Sequence, residues 1–243
     1  MNLLVDIGNT RLKWGRDNLG CIETGKPIPH GGSELKPQLM AAWSDLRPAP
    51  QRLAVSCVSS ESVLAAVKAV ALELWPAVKW IRVKSEASAG GVVNGYRYPE
   101  KLGVDRWLCL LAARRLWPEP VCIVDCGTAI TVDVMAANGR HLGGLISPGL
   151  TVMRLSLSKD TADLPFSDRV FPVGLADTTE AAIYSGTLYA AVGLINTVLR
   201  QQSETLKLIL TGGDAEVIAG HLDHDAIIAP DLVLQGLAFV LED

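Results

Sequence analysis

The chain has 243 residues, 49% of them hydrophobic and 20% charged, with a formal net charge of −4. That length suits one large α/β domain or two small ones, the composition is too polar for a chain that lives in lipid, and the acidic balance argues against nucleic acid as the main partner. No apolar run approaches the ~18 residues of a spanning helix, and the opening MNLLVDIGNT lacks the basic, long apolar and small-residue regions of an export signal, so the expected compartment is the cytoplasm and no membrane partner is expected.

Leu3 to Val5 is a short apolar run stopping at Asp6 and Gly8, as a strand emptying into a polar turn does. Residues 11–17 and 21–28 read as two more strands around an Asp17-Asn18-Leu19-Gly20 turn. Helix-period stretches over 33–46 and 61–75 then alternate with apolar strands over 52–58 and 79–83. A Gly-rich, Tyr-containing loop over 85–102 leads into a helix ending at Trp117, before Pro118. A second half opens like the first: Val121 to Val124 runs into Asp125-Cys126-Gly127-Thr128, with strands over 129–135 and 140–147. Helices over 148–158 and 178–202, a strand over 206–211 and a last helix over 231–242 complete the chain. The Asp-x-Gly-Asn/Thr turn after each opening strand implies duplication. The expected fold is therefore α/β, two ribonuclease H-like halves around a central cleft. Residues 1–118 form the first half and 119–243 the second, with the final helix able to pack back on the first.

In Asp6-Ile7-Gly8-Asn9-Thr10-Arg11-Leu12-Lys13, the glycine lets backbone approach a phosphate while Asn9, Thr10 and Lys13 offer donors. Asp6 can hold Mg²⁺ through water, because that ion keeps much of its hydration shell. A plain strand-end turn is the bland reading of one such loop, and the partner loop at 125–128 weakens it. Thr211-Gly212-Gly213-Asp214-Ala215 follows an apolar strand and precedes a helix, where backbone N–H groups can meet a ligand; Gly-Gly-Asp is also common turn chemistry.

DIGNTRLK at 6–13, GVDRW at 103–107, DCGTAITVD at 125–133, GGLISPGL at 143–150 and TGGDA at 211–215, in this order, resemble type III pantothenate kinase, of the acetate and sugar kinase, Hsp70 and actin superfamily. The resemblance implies transfer of the ATP γ-phosphoryl group to the 4′-hydroxyl of pantothenate, the first step toward coenzyme A, with Mg²⁺ and a monovalent cation (K⁺ or NH₄⁺) in a homodimer. It makes Asp105 the catalytic base and gives Tyr96, Gly103, Val104, Asp105, Arg106 and Thr179 to the substrate. It gives residues 6–13 and Thr128 to ATP, and Asp125 to the monovalent cation. Asp105 can accept the attacking hydroxyl's proton and Arg106 can grip a carboxylate; Asp105 can also be read as an N-cap. Tyr98 competes with Tyr96, and Thr178 with Thr179. Asp125 can also be read as a purely structural residue bonding loop N–H groups.

The five cysteines are odd in number with no CxxC pair, and Cys122 and Cys126 lie about 13 Å apart along one strand, so all five read as buried free thiols. The His221-Leu222-Asp223-His224-Asp225 run reads as a solvated loop, the six dispersed tryptophans as packing residues, and the last helix as packing on a half of the fold or a partner subunit. Other readings are another superfamily kinase acting on a sugar or short acid, and an accessory factor in transcription, as some members of the family have been described.

Overall fold

The computed structural model describes residues 1–31, 34–161 and 164–242. Its first sheet is built around β1 (Asn2–Ile7), where Leu3, Val5 and Ile7 share one face and bury it, alternating with Asn2, Leu4 and Asp6 on the other. β2 (Arg11–Asn18) returns antiparallel to β1, and β3 (Cys21–Thr24) follows through a two-residue turn. Leu19 and Gly20 there have φ of 53° and 88°, the turn type whose twist matches paired strands, and Asp17 Oδ1 accepts from Gly20 N at 2.9 Å. The strand read over 21–28 is broken before Pro27, and β4 (Ile28–Pro29) pairs separately with β2.

The first alternating helices and strands are α1 (Leu35–Trp43), β5 (Arg52–Cys57), α2 (Glu61–Leu74) and β6 (Lys79–Arg82). Ser60 caps α2, its side chain accepting from Val63 N. β5 lies parallel to β1, and β6 parallel to β5, giving the order β3-β2-β1-β5-β6. Leu39, Trp43, Leu64 and Val67 of α1 and α2 pack on the apolar face of that sheet. Trp43 meets Trp14 edge-on at 6.3 Å and Trp75 at 6.1 Å, so these tryptophans are core residues. The stretch read as a plain loop over 85–102 holds a small hairpin, β7 (Ser88–Ala89) with β8 (Val92–Val93), and a 3-10 turn at Pro99–Lys101 before α3 (Val104–Leu116).

Residues 117–230 form a second unit. β9 (Val121–Cys126), β10 (Ala129–Met135) and β11 (His141–Pro148) make an antiparallel meander. After α4 (Leu150–Asp160) and α5 (Thr179–Arg200), β12 (Lys207–Thr211) joins β9 in parallel. A short α6 (Ala215–Ala219) leads to β13 (Ala226–Ile228), parallel to β12. The order β11-β10-β9-β12-β13 repeats that of the first sheet strand for strand. The fold is thus α/β and made of two ribonuclease H-like units.

Four features bear on the sequence reading. The last helix, α7 (Leu232–Glu242), lies with residues 1–116, the placement that the sequence leaves open beside 119–243. Gly236 fits against α3 so closely that a Cβ there would lie 2.3 Å from Leu108 O, Arg52 Nη1 donates to Leu241 O at 2.6 Å, and Arg115 pairs with Glu242. α5 has 22 residues and a mean hydropathy of 1.4 over its most apolar window, long and apolar enough by composition to span a bilayer. Its apolar residues Leu188, Ala191, Val192, Ile195 and Val198 instead fill the core of the second unit. Cys21 is exposed and Cys57 half-buried, because one opens an edge strand and the other ends β5; Cys109, Cys122 and Cys126 are buried, and all five are free thiols. Finally, Asp105 is not an N-cap: α3 begins at Val104, so the aspartate sits inside the first turn.

Candidate active site

Because Val5 and Ile7 face α1 and α2, Asp6 projects from the opposite face of the first sheet. It is only 8% exposed and stands in register with Lys13 on β2 and Ser56 on β5, forming one row across three strands. The loop after it is held from behind by His30, whose Nε2 lies 2.7 Å from the accepting Gly8 carbonyl. A Cβ on Gly8 would meet Arg11 O at 3.2 Å, so backbone occupies the place of a side chain. Asn9, Thr10 and Arg11 are exposed, whereas Ile7 and Leu12 are core residues that can offer only backbone to a ligand. Ser56 is fully buried, and its Oγ has no hydrogen-bond partner among the described residues.

A second group forms at the start of α3. Arg106 is 5% exposed, donates from Nη1 to Tyr96 OH at 2.7 Å and lies over the Tyr96 ring at 5.4 Å. Asn94 places that tyrosine: its Oδ1 accepts from Tyr96 N at 3.0 Å while its Nδ2 donates to Glu86 O and Pro99 O. Asp105 is half-buried, and its Oδ1 accepts from Arg106 N at 2.8 Å. That oxygen lies where a Cβ on Gly103 would intrude, 2.5 Å away. Tyr98 is 57% exposed and packs with Arg97 instead, so Tyr96 is the tyrosine joined to Arg106.

In the second unit, three loops converge on the end of β9. Asp125 is in register with Thr131 and Thr211. Asp214 N donates to Cys126 O at 3.0 Å, and Gly149 N to Thr128 O at 2.9 Å, tying the loops at 211–215 and 147–150 to the Asp125–Thr128 turn. Gly212, with φ of 92°, would put a Cβ 2.5 Å from Asp125 Oδ1, and Gly149 would put one 2.2 Å from Gly127 O. Burial pushes the Cys126 thiol well above its usual range, with the carboxylates of Asp125 and Asp214 adding to the effect.

Thr179 belongs to α5. It is exposed at the first turn of α5 and, with Met153, Leu157, Ile183 and Thr187, lines an apolar cavity of about 530 Å³ between α4 and α5. Thr178 takes the N-cap position, although its side chain accepts no cap hydrogen bond. In the His221–Asp225 run, Asp223 accepts from Asn196 Nδ2 at 3.0 Å and His221 Nδ1 bonds Val217 O. Sequence reasoning passed over His30, Asn94 and Ser56. For His30 and Ser56 the only available signal was strand register, which places a residue far along the chain beside a loop; for Asn94 it was the Asx-turn preference of asparagine ahead of an aromatic.

Two copies of one sheet order, each with its first strand ending in Asp-x-Gly, define the fold shared by sugar kinases and actin-like ATPases. Solved structures of that fold align over nearly the whole chain. The inorganic polyphosphate/ATP-glucomannokinase of Arthrobacter sp. strain KM does so with a TM-score of 0.50 at 15% identity, over 100% of this chain and 99% of that one. The ethanolamine utilization protein EutJ of Carboxydothermus hydrogenoformans gives 0.57 at 14%, over 98% and 88%. Sequence narrows the class. The sequence model of type III pantothenate kinase matches residues 2–201. The type III pantothenate kinase of Nitrosococcus oceani is 40% identical over 100% of this chain and 94% of its own length. That of Methylibium petroleiphilum is 39% identical over 97% and 96%. The chain belongs to the type III pantothenate kinase family.

Proposed function

We propose that this protein is an ATP-dependent pantothenate kinase, with Asp105 as its catalytic base. The observation that carries the reading is the corner at the start of α3, where a half-buried carboxylate adjoins a buried guanidinium fixed by a tyrosine. Arg106, oriented by Tyr96, receives the pantothenate carboxylate in a bidentate grip. Asp105 takes the proton of the 4′-hydroxyl as its oxygen bonds to the γ-phosphorus, and the bond to the β-phosphate oxygen breaks to release ADP. The backbone of Gly103 and Val104 borders the same corner; Thr179, in the second unit, is assigned to the substrate by its match to the family's threonine.

The turn of residues 6–13 takes ATP phosphate through backbone N–H groups and through Asn9, Thr10 and Lys13; Thr128, in the second unit, is assigned to ATP by its match to the family motif. The buried Asp6 carboxylate, in register with Lys13, would hold a hydrated Mg²⁺, which would supply charge neutralisation at the phosphates. Asp125 suits a monovalent cation because glycines stand beside its carboxylate: Cβ atoms on Gly127 and Gly212 would lie 3.2 and 2.5 Å from Oδ1, so the absence of those side chains leaves the carboxylate approachable. Exposed Leu155 on α4 and Tyr189 on α5, near the apolar cavity, support a homodimer. The assignment is to a cytoplasmic enzyme.

Purified protein incubated with Mg-ATP and K⁺ is expected to phosphorylate pantothenate from a panel that also contains sugars and acetate, and to lose most of its rate when Na⁺ replaces K⁺. Phosphorylation of a sugar alone would remove the substrate assignment, and equal rates in the two salts would remove the cation from Asp125.

A further inference from the structure

Asp6 and Asp125 hold equivalent places in the repeated sheets, and each has a hydroxyl residue in register on the neighbouring parallel strand: Ser56 beside Asp6, Thr211 beside Asp125. Both hydroxyl residues are buried, at 0% and 1% exposure. Their hydrogen bonding differs. Thr211 Oγ1 donates to Pro230 O at 3.4 Å, so its hydroxyl is used inside the protein. Ser56 Oγ finds no such partner among the described residues. A buried hydroxyl left without a partner costs stability, whereas alanine would fit the same strand position at no such cost. The described residues supply this hydroxyl no partner, so a water or a ligand can serve as one.

Its surroundings say what kind. In-register residues on parallel strands project from the same face, so Ser56 shares the face of Asp6 and Lys13, opposite the core packed by α1 and α2. This row holds a carboxylate and an ammonium beside Ser56, and a hydrated divalent cation on the carboxylate would present water oxygens to the hydroxyl. We propose that Ser56 is a positioning residue for the divalent cation, its hydroxyl bonding a water of that cation's hydration shell beside Asp6. The proposal rests on the reading that the Asp6 turn takes the magnesium nucleotide. Ser56 acts on the ion through water and does not touch the reacting atoms, as partners beyond the direct ligands of a metal do.

Thermal melting of the purified protein with ADP, titrated with MgCl₂, tests this. Wild type is expected to gain melting temperature from Mg²⁺ with ADP beyond ADP alone. Ser56→Ala is expected to melt at or above the wild-type temperature without ligand, yet to need about tenfold more Mg²⁺ for the same gain. Ser56→Thr, which copies the residue at the equivalent place in the second unit, is expected to restore wild-type Mg²⁺ dependence. Unchanged Mg²⁺ dependence in Ser56→Ala overturns the proposal alone. So does a lower melting temperature of Ser56→Ala without ligand, which would make the hydroxyl part of the fold. A wild type that gains nothing from Mg²⁺ overturns the reading of the Asp6 turn, and the proposal with it.

Discussion

In the proposed reaction Asp105 and Arg106, neighbours in the chain, have separable tasks: one would change its bonding during phosphoryl transfer and the other would be engaged before it. Asp105→Asn keeps size and polarity but cannot take up the proton, so kcat is expected to fall by about 10²–10⁴ with melting temperature nearly unchanged. Arg106→Ala should chiefly raise the KM for pantothenate. Since Arg106 is buried and bonded to Tyr96, that variant should also lose some stability, and Tyr96→Phe should give a smaller KM effect of the same sign. Steady-state kinetics with a melting curve for each variant separates these outcomes; normal kcat in a folded Asp105→Asn protein would move the base elsewhere. At this scale the motif made Asp105 and Arg106 visible in the sequence. Asn94 and His30 were not, because their work is to hold another residue's backbone, and no short spacing reveals that.

The elements were largely legible, since long periodic helices and apolar strands carry their own pattern, and the boundaries fell near those read from the sequence. The pieces that escaped are short: β4, the hairpin of β7 and β8, and β13 have two or three residues each, too few for a period to register. The joining of the loops in the second unit was also hidden, since it depends on glycines far apart in sequence. Two adjacent glycines test that joining. Gly212 has a φ of 92°, and a Cβ there would collide with Asp125 Oδ1 and the Cys126 backbone at 2.5 Å, whereas a Cβ on Gly213 meets nothing within 4 Å. Gly212→Ala is expected to cost at least roughly 1–3 kcal/mol from the strained backbone alone, with loss of nucleotide-dependent stabilisation. Gly213→Ala should melt near wild type. Equal melting of the two variants would mean that the loop reshapes freely.

For the molecule as a whole, the buried thiols set a limit on the alkaline side. Burial pushes the Cys122 thiol from an ordinary value of 9.0 up to about 12, with the Asp133 carboxylate adding to it. The same thiol ionises near 9 once unfolded, so between those values the unfolded chain releases a proton that the native state keeps. Its contribution is whole below about pH 9 and declines above, by at most about 1.4 kcal/mol per pH unit for one group. Denaturant unfolding at a series of pH values from 8 to 11 should show this decline, and Cys122→Ala should flatten it. A slope identical in the two proteins would assign the alkaline loss to other groups.

The return of α7 to the first unit bears on the order in which the protein can be made. Residues 117–230 are contiguous, so their sheet can close as soon as they have left the ribosome. The first unit cannot do the same, although most of it is synthesised earlier. The surface of α3 that receives Gly236, and the parts of β1 and β5 that α7 contacts, stay uncovered until residues 231–242 are available. During translation the earlier-made part of the protein is therefore the later one to be completed, and the apolar surface awaiting α7 is what a nascent-chain chaperone would meet.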